Sequence, residues 1–147
     1  MSRFGGSLMF IAVIGALLAP LAASADDQDV VDYRQHVMKT MGEQAAAIGM
    51  ILQHRAPAEN LVVHVQILAI TAATAKKAFE PKVLGGNSKA EVWAQWVDFA
   101  KRLDALAGNT AELAKTAKAG GVAALEPKMA TALTCKNCHE TFRVPKK

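Results

Sequence analysis

The chain has 147 residues with 52% hydrophobic and 20% charged side chains, enough for one domain with a real core and unlike a disordered tail. Aromatics are only 5% while alanine is abundant, a mix that favours close-packed helices over sheet. The net charge of +4 is mild, and no basic run or aromatic-basic interleaving marks a nucleic-acid binder. The two cysteines stand three apart, where a disulfide would close almost no loop.

Residues 1–25 read as a secretory signal peptide. Arg3 gives a positive start, Phe10 to Leu18 an apolar stretch, and Ala23-Ser24-Ala25 a small-x-small cleavage site. Gly15 and Pro20 interrupt the stretch, which is short for a membrane anchor. The mature chain is then 26–147, in which no later segment is expected to be apolar enough to span a bilayer. Export to the periplasm follows.

Four segments show helical periodicity and none shows strand alternation. The first covers about residues 29–54, with Val30, Arg34, Met38, Met41, Ala45, Ile48 and Leu52 as its inward stripe. Asp26, Asp27 and Asp29 lie at its start, where the helix dipole favours acids. The second covers 58–79, with Leu61, Val65, Leu68, Ala72, Ala75 and Phe79 facing inward and Pro81 ending it. After a loop containing Gly85-Gly86, Ser88 and Glu91 have capping-box spacing for a third helix running to about residue 119. That helix offers Val92, Trp96, Phe99, Leu103, Leu106 and Leu113, and Gly120-Gly121 ends it. A fourth covers about 125–142, with Pro127 in its first turn. Four long amphipathic helices with short breaks imply an all-α, antiparallel four-helix bundle.

The chemistry is carried by Cys135-Lys136-Asn137-Cys138-His139. C-x-x-C-H is the attachment signature of haem c. Cys135 and Cys138 share a helix face, where their thiols can add to the two vinyl groups of one porphyrin. His139 then supplies an axial nitrogen to the iron. A thioredoxin-like pair would belong in an α/β fold, and a zinc site needs a further ligand. One covalent haem in the bundle interior is the expected cofactor.

Three segments resemble the class II c-type cytochromes, the cytochrome c′ and cytochrome c-556 group. They are Tyr33-Arg34-Gln35-His36-Val37-Met38-Lys39, Gly86-Asn87-Ser88-Lys89-Ala90-Glu91-Val92-Trp93, and Cys135 through Arg143. The family's Phe-Pro-x-Gly turn before the third helix is missing; only Pro81 and Gly85-Gly86 stand there. The resemblance implies His139 as proximal ligand, haem contacts from Arg34 and Gln35, and an edge contact from the loop at Asn87. Arg34 and Met38 are four apart, about 6 Å along one helix face, so one can meet a propionate while the other faces iron. By the same resemblance, Met38 matches a position that donates a thioether to iron in c-556-like members and only crowds an empty site in cytochrome c′.

The first expectation is therefore a single-electron carrier with His139 and Met38 on the iron, meeting redox partner proteins. The second is a five-coordinate protein that binds nitric oxide or carbon monoxide. No histidine stands on the first helix's inward stripe to act as acid-base catalyst, so an enzyme is not expected. His36, His54 and His64 read as surface or boundary residues, and a homodimer through the first two helices is implied by the resemblance.

Overall fold

The structure is a computed structural model and describes residues 26–145, so the expected signal peptide lies outside the described residues. It contains α1 (Asp27–Leu52), a single 3-10 turn at Ala58–Asn60, α2 (Leu61–Phe79), α3 (Glu91–Ala94), α4 (Trp96–Ala132) and α5 (Cys135–Phe142). The bundle has four legs: α1, α2, residues 96–120, and the returning stretch 122–142. The third and fourth legs join at Gly121, whose φ of 61° and ψ of −147° fall in a region open essentially to glycine alone. Among the described residues the only extended pairing is two isolated bridges, Gly85 with Ser88 and Ser88 with Arg143.

The acids at the start of α1 do more than meet the helix dipole. The Asp26 carboxylate accepts from the Asp29 amide at 2.8 Å, and the Asp29 carboxylate accepts from the Asp26 amide at 3.3 Å. That reciprocal pair satisfies two otherwise free N–H groups. The stripe on α1 is turned from the expected one: Val31, Arg34, Val37, Met41, Ile48 and Ile51 are buried. Met38 and Ala45 are only half-buried, because that side of α1 faces a hollow rather than another helix.

The second leg matches its expected stripe, with Leu61, Val65, Leu68, Ala72, Ala75 and Phe79 all buried. One sequence expectation is corrected here. Ala58–Phe79 is long and apolar enough, by length and composition, to cross a membrane (mean hydropathy 1.3). In the bundle it is a core leg lying along α1 and α4, with Val63, Ile67 and Ile70 left exposed on its far side.

The expected capping box at Ser88 does not form. Ser88 is drawn instead into bridges with Gly85 and Arg143, so the helix starts later, at Glu91, without a side-chain cap. It breaks at Gln95 (φ −118°, ψ 40°) before resuming at Trp96. At this end of the bundle Phe99 stacks edge-on against both Phe79 (5.1 Å) and Phe142 (5.0 Å), tying α2, α4 and α5 together.

Gly86 marks where the loop touches α1. Its φ is 62°, and a Cβ there would come within 2.9 Å of Val31 Cγ1 and 3.1 Å of Gln35 Nε2. Gly86→Ala should lower stability by at least about 1 kcal/mol, since the left-handed backbone penalty exceeds the gain from a stiffer unfolded chain. The denaturant midpoint measures it, and an unchanged midpoint would show that the loop yields freely.

Candidate haem site

A cavity of about 940 Å³ opens between α1, α4, α5 and the loop before α3. All seven residues singled out from the sequence line it: Arg34, Gln35, Met38, Asn87, Cys135, Cys138 and His139. Its apolar lining comes from Met38, Met41, Leu68, Phe99, Leu103 and Leu106, while exposed Asp32, Lys39 and Glu43 also border it. Among the described residues, Arg34 is the one fully buried polar side chain on this cavity.

Arg34 settles how the sequence's lone stripe cation is housed. It is 2% exposed, so it does not reach out to water. Its guanidinium carbon lies 4.9 Å from the Trp93 ring centre and 5.5 Å from that of Phe79. Nη1 donates to the Val83 carbonyl at 2.8 Å, while Nε and Nη2 are buried with no partner. Burial pushes its pKa down from the usual arginine range. A buried cation with two idle donors on a cavity wall lacks an anion, which is what a haem carboxylate would bring. The residues therefore fit the group. Trp93 is fixed in turn by its Nε1, which donates to the Phe79 carbonyl at 3.0 Å.

Cys135 and Cys138 are free thiols, the first exposed and the second half-buried. Desolvation raises the Cys138 pKa, and the nearby Arg102 charge partly offsets this. His139 is exposed overall, yet its ring loses enough water, with Arg143 adding repulsion, to sit below the usual imidazole range. A neutral imidazole is the form that binds a metal. Among the described residues no three His, Cys, Asp or Glu side chains gather into a metal cage, so the zinc alternative finds no further ligands.

Arg102, which the sequence reading passed over, holds the start of α5. Its Nη1 donates to the Asn137 carbonyl at 3.0 Å, its Nε and Nη2 meet Asp98 at 3.0 and 2.9 Å, and its guanidinium covers Phe142 at 5.3 Å. The four-residue spacing of Asp98 and Arg102 was the available signal. The other histidines keep their expected stations. His36 is exposed at the cavity rim, His54 sits just past α1, and His64 pairs with Gln44 at 2.8 Å.

A four-helix bundle with C-x-x-C-H on the wall of a large apolar cavity defines a class II c-type cytochrome. The chain belongs to the cytochrome c′ family: the family model described as Cytochrome C' matches residues 29–143. The family's cofactor is covalently attached haem c. A cytochrome c′ of Alcaligenes xylosoxydans xylosoxydans is 27% identical over 125 residues, 83% of this chain and 98% of the relative. A cytochrome c-556 of Rhodopseudomonas palustris is 30% identical over 152 residues, 92% of this chain and 97% of the relative. Solved structures of cytochrome c prime from Alcaligenes xylosoxidans superpose closely. A ferrous variant with bound NO gives a TM-score of 0.76 at 26% identity, covering 84% of this chain and all of that one. A carbon-monoxide-bound variant gives 0.75 at 27%, covering 82% and 98%.

These relatives correct the leading sequence expectation. An iron held by both His139 and Met38 has no vacant position for a gas, whereas these structural neighbours are nitric oxide and carbon monoxide complexes. The electron carrier with a His139/Met38 iron is set aside. A methionine on the cavity wall is compatible with either state, which is why residue type alone misled.

Trp93→Leu should destabilise the protein by about 2 kcal/mol, because it removes the indole hydrogen bond and the aromatic face over a buried cation. Thermal unfolding of the haem-loaded protein reads the loss. A wild-type melting temperature would mean that Arg34 is held without Trp93.

Proposed function

We propose that this is an exported cytochrome c′ that binds nitric oxide or carbon monoxide at a five-coordinate iron. Cys135 and Cys138 form the two thioethers, and His139 is the single protein ligand to the metal. Arg34 neutralises a propionate with Nε and Nη2, helped by Gln35, and Asn87 stands at the haem edge. Met38 would pack beside the haem without bonding its iron. Bound haem would supply an iron able to take up a diatomic gas.

The observation that carries this reading is the apolar interior wall. Met38, Met41, Leu68, Leu103 and Leu106 offer no hydrogen-bond donor, and Arg34, the one fully buried polar side chain on the cavity among the described residues, is taken by the propionate in this reading. Such a wall suits uncharged diatomics, which need no donor; bound dioxygen gathers negative charge and gains from one. The nitric oxide and carbon monoxide complexes of its relatives support the same reading.

Residues 1–25 act as a cleaved signal peptide in this proposal, delivering the bundle 26–147 to the periplasm, where haem is attached. A homodimer through the first two helices is favoured by Val63, Ile67 and Ile70. They are 54%, 38% and 70% exposed and form one apolar stripe on α2.

Optical spectra of the ferrous protein with and without carbon monoxide test the function. The expected result is a high-spin spectrum that converts fully to a carbonyl form. A low-spin spectrum unmoved by carbon monoxide would overturn the five-coordinate reading.

A further inference from the structure

α5 is only eight residues long, and its last four carbonyls have no partners within the helix. The His139 carbonyl accepts from the Arg143 amide at 3.1 Å. The other three are all taken by one residue of the loop before α3. Lys89 Nζ donates to the Glu140 and Thr141 carbonyls, each at 3.2 Å, and the Lys89 amide donates to the Phe142 carbonyl at 3.0 Å. The Val144 amide donates back to the Asn87 carbonyl at 2.9 Å, and Ser88 bridges Arg143. An ammonium at a helix C-terminus also meets the negative end of the helix dipole.

The same loop rests on the opposite wall. Val83 accepts from Arg34, and Gly86 lies against Val31 and Gln35 with no room for a Cβ. Residues 83–89 thus form a strap from α1 to the end of α5, while Lys89 itself does not line the cavity. Opposite the strap, the first turns of α5 are held by Arg102 on the Asn137 carbonyl. His139 lies between these two attachments, so the tilt of its helix depends on both.

We propose that Lys89 is a positioning residue that sets how His139 meets the iron, by capping the short helix that carries it. The proposal rests on His139 being the iron ligand. It goes beyond the gas-binding reading by assigning control of the iron–histidine bond to a residue outside the cavity. Releasing the cap lets α5 tilt and weakens that bond without removing any side chain that lines the cavity.

The test uses haem-loaded ferrous protein as wild type, Lys89→Met, Lys89→Arg and, as a remote control, Lys115→Met, whose partner is the exposed Glu112. Methionine keeps the aliphatic stem and the backbone bond to Phe142 but removes both ammonium bonds. The iron–histidine stretching band in resonance Raman should move to lower frequency and broaden in Lys89→Met, and return in Lys89→Arg. Amide exchange at Arg143 and Val144 should speed up roughly tenfold in Lys89→Met, for the loss of charge-assisted bonds. Lys115→Met should change neither. Faster exchange with an unmoved band would overturn the proposal, leaving Lys89 a simple staple. Unchanged exchange would overturn the cap itself. If Lys89→Met does not fold, Lys89→Gln takes its place with the same expected shifts. A wild-type protein without the band would refute the five-coordinate reading instead. The iron's midpoint potential, moved in Lys89→Met and restored in Lys89→Arg, would then carry the test of Lys89.

Discussion

The Arg34 guanidinium is a positive charge held almost wholly out of water with two donors idle. Burying such a charge is costly unless an anion meets it, and the bundle itself supplies none at that point. Phe79, Trp93 and the Val83 carbonyl hold it in place but leave its charge uncompensated. In the proposed reading, an anionic group entering the cavity supplies the missing partner. That requirement links the helix packing to the cofactor.

The bundle is hollow beside that charge. α1 turns its fully buried residues, Val37, Ile48 and Ile51, into the core, and leaves Met38 and Ala45 half-buried on the side facing the cavity. The fourth leg is broken at Leu133 and Thr134, and the eight-residue α5 that follows carries Cys135, Cys138 and His139. A short helix over a void cannot rely on its own buried area, and only Phe142 of α5 is buried. Its ends are instead tied from outside, by Arg102 at one and the loop through Lys89 at the other.

Much of this was legible in the chain. α2 follows its 4-3 repeat because it packs along two legs at once, so every inward position is filled by a neighbour. C-x-x-C-H names its cofactor by chemistry, and a helix breaks at Gly121 because only glycine takes that backbone. What could not be read depended on partners distant in sequence. Ser88 has the spacing of a cap, but its backbone is claimed by Arg143, fifty-five positions on. Arg34 was read as a haem contact, but nothing in the spacing showed that Phe79 and Trp93 would close over it and seal it from water. Met38 was misjudged for a different reason: a thioether on a cavity wall can bond iron or merely pack, and its residue type is the same in both. A mean hydropathy of 1.3 over Ala58–Phe79 likewise cannot distinguish a core leg from a membrane span.

A crystal structure of the haem-loaded ferrous protein tests the central claim most directly. The account predicts propionate oxygens within hydrogen-bonding distance of Arg34 Nε and Nη2, His139 bonded to iron, and Met38 sulfur in contact with the open face but unbonded. A structure with the propionates turned away from Arg34, or with Met38 sulfur bonded to iron, would contradict it.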